Sequence, residues 1–170
     1  KRDCCSYKQK NKQGLTNVLN KLNNSFGYFD YSKSEFQNYR LNIPKPISDI
    51  YRNYFNLTSL NTFQARIPNS IKLLPKEFLL AGLCAFIVDE GHIWEVITIY
   101  SKNKALLEDI REIALKCGYK CHDIKEKFAR GKLDCYRFRI SSSSYNGLYS
   151  NILDLSSIFP TCNLAHKMEK

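Results

Sequence analysis

Two adjacent carboxylates, Asp89 and Glu90, lie between an apolar run and Gly91, and they are the residues best placed to do chemistry. The run extends from Phe78 to Val88. Pro75-Lys76-Glu77 precedes it as a first helical turn, with an acid near the positive pole. Gly91 reads as a left-handed stop at the other end. The last turn of a helix carries negative partial charge and favours Lys or Arg, so two acids there need compensation. A divalent cation with oxygen ligands would supply it, and so would open solvent. The run is too short to cross a bilayer and is expected to form a buried helix. Phe78, Ala81 and Ala85 recur at helical spacing with Gly82 beside them. Such a stripe of small residues lets a second helix approach closely.

The elements around this helix follow from periodicity. Lys1 to Lys12 is polar and basic, a frayed segment or the stump of a strand. Leu15, Val18, Leu19 and Leu22 predict an amphipathic helix over 14–24, with Gly27 closing the region. Tyr28 to Tyr31 and Tyr39 to Ile43 read as strands around Ser32-Lys33-Ser34. Pro44 and Pro46 end the second of these. Ile47 to Phe55 reads as a helix with Ile47, Ile50, Tyr51 and Tyr54 on one face, and 56–74 as a linker. After Gly91, His92 to Tyr100 reads as a strand or a clipped hairpin, with Trp94 expected in the core. Asn103 to Cys117 reads as a helix with Leu106, Leu107, Ile110, Ile113 and Leu115 apolar and Glu108, Asp109, Arg111 and Glu112 outward. A hairpin over 119–141 turns at Arg130-Gly131. A terminal helix over 145–158 is followed by a tail.

The chain repeats itself. Leu15, Leu19, Leu22 and Gly27-Tyr28 match Leu106, Ile110, Ile113 and Gly118-Tyr119 at one constant offset. Tyr39-Arg40-Leu41-Asn42-Ile43 then matches Tyr136-Arg137-Phe138-Arg139-Ile140. Helix, strand, strand, helix therefore occurs twice, and only the second copy carries the run ending in Asp89-Glu90.

Charge narrows the partners. The formal net charge of +10 over 170 residues favours a polyanion, nucleic acid first and an anionic membrane surface second. Strand alternation turns Tyr136, Phe138 and Ile140 toward the core and Arg137 and Arg139 away from it, where arginines suit guanine edges or phosphates. Lys125, Lys127, Arg130 and Lys132 cluster on the neighbouring hairpin, a nucleic-acid contact or a solvated charged face. The seven cysteines are scattered, with Cys4-Cys5 adjacent and no pair of CxxC motifs, which argues against zinc. Scattered reduced thiols, with no signal peptide and no transmembrane run, indicate an intracellular protein, cytoplasmic or organellar.

The run and its acids resemble the signature of the LAGLIDADG homing endonucleases, in which a helix of small and apolar residues ends in an acid followed by glycine. The nine-residue motif reads Leu83 to Gly91 here, with Ala85 at the usual small position and Glu90 on the metal-binding acid. Val88 departs from a common acid. Ile99-Tyr100-Ser101-Lys102-Asn103-Lys104-Ala105-Leu106-Leu107, Gly118-Tyr119 and Tyr136-Arg137-Phe138-Arg139-Ile140 are similar to archaeal two-repeat members. The resemblance covers Pro75 to the C-terminus well and the first part less well.

It implies an α+β fold of αββαββα repeats about a pseudo-two-fold axis. Residues 1–74 would form an incomplete first repeat and linker, and residues 75–170 a complete one. The first motif helix would lie upstream of Lys1. Two motif helices would pack through a face such as Phe78, Ala81, Gly82 and Ala85, and their acids would share divalent metals. The resemblance therefore implies a site-specific double-stranded DNA endonuclease using Mg2+ or Mn2+, encoded in an intron, in an intein or free-standing. Glu90 would ligate metal with Asp89 beside it. His92 would sit near the scissile phosphates, and Lys167 would be the basic residue near the metals. The missing acid would come from an upstream segment or from a homodimer. The alternative is a catalytically inactive relative that binds nucleic acid, as a transcription regulator or as a splicing maturase on intron RNA.

Overall fold

The computed structural model describes residues 6–8, 12–28, 40–57 and 63–158. Lys167 and the expected strand after Tyr28 with its turn lie outside the described residues. The chain divides into two compact units, Lys1–Leu60 and Asn61–Lys170.

In the first unit, strand β1 (Ser6–Lys8) pairs antiparallel with β2 (Arg40–Asn42), Tyr7 opposite Leu41. Between them runs helix α1 (Lys12–Phe26). Gly27 leaves α1 at φ +90 and donates its amide to the Asn23 carbonyl at 2.9 Å, the backbone state in which glycine is cheapest. Helix α2 (Lys45–Tyr54) starts on Pro44, with a second proline in its first turn. Leu15, Leu41 and Ile47 are buried. Ile50, Tyr51 and Tyr54 were expected to share Ile47's apolar face, but they are exposed. Phe26, Tyr51, Phe55 and Tyr54 instead form ring contacts with one another at 4.8–6.3 Å.

The second unit opens with the short helix α3 (Asn69–Lys72) inside the expected linker. The motif run forms α4 (Lys76–Glu90), which leads without a break into β3 (Gly91–Ile93). Strand β4 (Ile97–Ser101) follows, then α5 (Lys104–Lys116), β5 (Lys125–Ala129), β6 (Lys132–Arg139) and α6 (Ser142–Ile158). The sheet is antiparallel in the order β3-β4-β6-β5. Both strands of the hairpin after the motif are therefore present, despite the short connection. Ile93, Ile97, Ile99, Phe138 and Ile140 turn inward from the sheet. They meet Leu79, Leu83, Cys84 and Ile87 of α4, Leu107, Ile110, Ile113 and Ala114 of α5, and Leu148 and Ile152 of α6. This is one core between a helical layer and one face of the sheet.

Among the described residues the expected repeat is matched in part: each unit runs from a strand through a helix and a glycine exit to a strand and a helix, with the second unit adding the strand β5, and Gly118 leaves α5 at φ +90 just as Gly27 leaves α1.

Helix α5 holds the main surprise. Asp109, expected to face outward, is only 1% exposed. Its Oδ2 accepts from Arg66 Nε at 2.7 Å and from the Ile67 amide at 2.9 Å. Its Oδ1 accepts from Arg66 Nη2 at 2.7 Å and from Lys72 Nζ at 2.6 Å. Burial pushes this carboxyl up, but the bonds from Arg66, Lys72 and Ile67 outweigh it and hold it at about 2. Lys72 reaches Glu112 as well, at 2.7 Å. Asn103, the N-cap of α5, accepts from the Leu106 amide at 3.0 Å and donates to the Ala65 carbonyl at 2.7 Å. Residues 65–72, just before α4, are thereby fastened to α5.

Candidate functional site

Helix α4 is buried along one side only, not all round as the apolar run suggested. Leu79, Leu83, Cys84 and Ile87 face the core. Phe78 is 65% exposed, Gly82 and Ala85 are exposed, and Ala81 is half-buried. A Cβ built at Gly82 meets nothing within 4 Å. The small residues thus form an open face, and four large aliphatic residues were enough to seat the other.

Asp89 and Glu90 end the helix and are both exposed. Gly91 is not a left-handed stop. It lies in the extended region at φ -82, ψ 159, with its amide on the Ile87 carbonyl. A Cβ there would sit 2.5 Å from that carbonyl oxygen and 2.9 Å from Ile87 Cγ2. Glycine is required by close approach rather than by chain reversal, because the helix runs straight on into β3.

One residue beyond Gly91 the sheet begins to present its outer face. His92 lies opposite Thr98, and Thr98 opposite Arg139. Tyr100 lies opposite Arg137, and Arg137 opposite Lys125. Lys127 Nζ stands 5.2 Å from the centroid of the Tyr100 ring. Strand alternation therefore gathers His92, Lys125, Lys127, Arg137 and Arg139 on the face opposite the core. An open cleft of about 260 Å³ on this surface is lined by His122, Asp123, Lys125, Arg137, Phe138 and Arg139. Asp123 is held by Arg111 at 3.0 Å.

The hairpin beyond is tight. Arg130 and Gly131 both have positive φ, 51° and 74°, the mirror-image turn that suits twisted strands. Strand β5 is exposed along its whole length. Arg130 sits at the tip, and a register shift between Lys127 and Phe128 sets Lys132 opposite Ala129, on the same face as Lys125 and Lys127. Of the hairpin cations, the structure brings Lys125 and Lys127 beside Arg137 and Arg139, sets Lys132 further along the same face, and leaves Arg130 at the turn.

Trp94 was expected in the core and is 56% exposed. Ile93 and Ile97 fill the core on either side of the turn, so the tip between them has no interior left to enter. At Cys117 and Cys121 thiol chemistry is disfavoured: burial pushes Cys117 up and Cys121 to about 11, away from the reactive thiolate. Among the described residues no helix is long and apolar enough to cross a membrane.

This architecture is the LAGLIDADG homing-endonuclease fold, with a motif helix ending in acids and a sheet whose outer face is basic. No protein-family model and no curated protein sequence matches the chain. Among solved structures it is similar to mesophilic variants of the homing endonuclease I-DmoI, at 18% identity and a TM-score of 0.58, over 89% of this chain and 79% of that one. It is also similar to an I-DmoI variant in complex with its target DNA in the presence of magnesium, at 20% identity and a TM-score of 0.59, over 88% and 79%. A further I-DmoI variant, with target DNA and manganese, matches at 18% identity and a TM-score of 0.58, over 89% and 78%.

Proposed function

We propose that this chain is a site-specific, double-stranded DNA endonuclease of the homing type, with Glu90 as its metal-binding acid. One arrangement carries the reading. The exposed acids at the end of α4 are joined through a single glycine to a sheet face that gathers His92, Lys125, Lys127, Arg137 and Arg139. Acids for a cation and cations for a phosphate backbone thus sit on consecutive elements.

Among the described residues no three His, Cys, Asp or Glu side chains gather into a metal site. Glu90 and Asp89 therefore offer part of an oxygen ligand set, and a second acid has to come from another helix. The exposed face of Phe78, Ala81, Gly82 and Ala85 gives such a helix room to approach. It would belong to a second copy or to a preceding segment. Bound magnesium or manganese would supply an activated water for phosphodiester hydrolysis. The basic face would hold the duplex, His92 would approach the phosphates beside the acids, and Lys167 would be a basic group near them.

A second reading has its own support. The cations of the sheet are gathered within the second unit, whereas among the described residues no acid cluster stands beside Glu90, which supports a chain that would bind nucleic acid without cutting it, as a regulator or on intron RNA.

The test is purified protein on DNA spanning the insertion site of its own gene with the insert removed, in magnesium or manganese, with Glu90→Gln alongside. Cutting by the wild type alone is expected. Salt-sensitive binding without cutting by either protein would replace the nuclease with the binding module, and no binding to this DNA would end the nuclease reading and leave only the intron-RNA form of the second.

A further inference from the structure

We propose that Trp94 is a DNA-contacting residue, placing its indole against base edges of a duplex held on the basic sheet face. The inference rests on the DNA-binding reading above and adds a residue to it. Isolated exposed apolar side chains are common and carry no meaning alone. Trp94 differs in its place, its bracing and its surroundings.

Its place is the tip of the β3–β4 hairpin. Ile93 turns into the core at one side, and the indole that follows is 56% exposed. The same hairpin carries His92 and Thr98, and Thr98 stands opposite Arg139. The indole thus edges a surface already rich in cations, whose charge complements a phosphate backbone.

Its bracing comes from α6. The Tyr145 hydroxyl donates to the Trp94 carbonyl at 2.6 Å. Tyr145 in turn stacks on Tyr149, with centroids 5.6 Å apart and rings inclined by 14°. The Trp94 amide also donates across the turn to the Val96 carbonyl at 3.3 Å. The backbone at the tip is fixed by these bonds while the residue stays more than half exposed, so little conformational freedom would be lost on contact.

Its surroundings favour bases over phosphates. Glu95, the next residue, is exposed, and its carboxylate repels a phosphate but can accept from the cytosine amino group. The neutral indole offers apolar area to base edges and thymine methyls, which the arginine rows do not.

Trp94 is the sole tryptophan of the chain, so its emission reports this position alone. The probe is a set of 30-base-pair duplexes enriched by the protein from a random pool. Binding is followed by anisotropy of labelled duplex, and contact by indole emission in the same titration. The expected result is a change in emission with the same midpoint as the anisotropy. Trp94→Ala should weaken binding about tenfold, and Trp94→Phe by less. The bond from Tyr145 reaches the backbone, so it survives both substitutions, and unchanged circular dichroism checks this. Duplex RNA of the same sequence, whose narrow major groove admits no side chain, should leave the emission unchanged. Duplex bound with no emission change, alanine binding as tightly as tryptophan, or RNA acting like DNA would each overturn the assignment to Trp94 and leave the DNA reading standing. No enrichment of any duplex would sink the DNA reading and this assignment together.

Discussion

Asp109→Asn tests whether the segment before α4 is held by charge. The wild-type carboxylate accepts four hydrogen bonds, from Arg66 twice, Lys72 and the Ile67 amide, at 2.6–2.9 Å. Holding it at about 2 instead of 3.8 corresponds to roughly 2 kcal/mol of folding free energy. An amide keeps the shape but replaces two charge-assisted acceptors with one neutral oxygen and a donor aimed at other donors. Lys72, 9% exposed, would keep only Glu112 at 2.7 Å. Removing one partner of a buried pair costs about 3–5 kcal/mol when nothing compensates, and Glu112 compensates in part. The expected loss is therefore about 2–3 kcal/mol near pH 6, a fall in melting temperature of roughly 5–10 °C.

The pH dependence has a definite sign. The native pKa is depressed, so the stabilisation is fully present above the unfolded value near 3.8 and is lost as pH falls through about 2. The gap between wild type and variant should be constant from pH 7 to about 5 and close below about 4. Urea titrations followed by circular dichroism at several pH values measure it. A variant within about 0.5 kcal/mol of wild type at pH 6, or a gap that persists unchanged to pH 2, would refute the assignment of stability to this charge cluster.

Gly91→Ala should cost about 1–3 kcal/mol, because the new methyl must displace the Ile87 carbonyl. If the chain cuts DNA as proposed, the same change should lower cleavage more than DNA binding, since it shifts Glu90 against the sheet, and denaturation paired with cleavage and binding assays checks both parts. If Lys125, Lys127, Arg130, Lys132, Arg137 and Arg139, about six cations of the sheet and its hairpin, contact phosphates, the log–log salt dependence of DNA affinity should have a slope of about −5. Lys127→Ala or Arg137→Ala should each flatten that slope by about one, measured by anisotropy from low to physiological salt.

Much of this was legible because the signals were local. The motif run, the extent of α5 and the alternation of Arg137 and Arg139 about Phe138 each follow from a few neighbouring residues. Asp109 was not legible. On a helical wheel it falls among acids, and nothing in its own helix says that Arg66, Lys72 and the Ile67 amide arrive from forty residues away. The clue was the linker, which is too rich in cations and apolar residues (Arg66, Ile67, Ile71, Lys72) to be an idle tether. Trp94 failed for the opposite reason. Its type suggests burial, but a two-strand hairpin closed between Ile93 and Ile97 has to put its turn residues outside, whatever they are. Gly91 was correctly singled out for the wrong property, since sequence separates a glycine needed for its φ from one needed for its missing Cβ only when the following strand is known to start at once.

That immediate start is what ties the acids to the basic face. A left-handed stop after Glu90 would have turned the chain back over its helix and put several loop residues between carboxylate and sheet. With Gly91 extended and pressed on the Ile87 carbonyl, the acids and His92 are separated by a single residue. The position of Glu90 is then fixed by the same packing that seats α4 on Ile93 and Ile97. Ahead of the helix, the Asp109 cluster fastens residues 65–72 to α5. The motif helix is held from both ends, and the face between those ends is left open at Gly82.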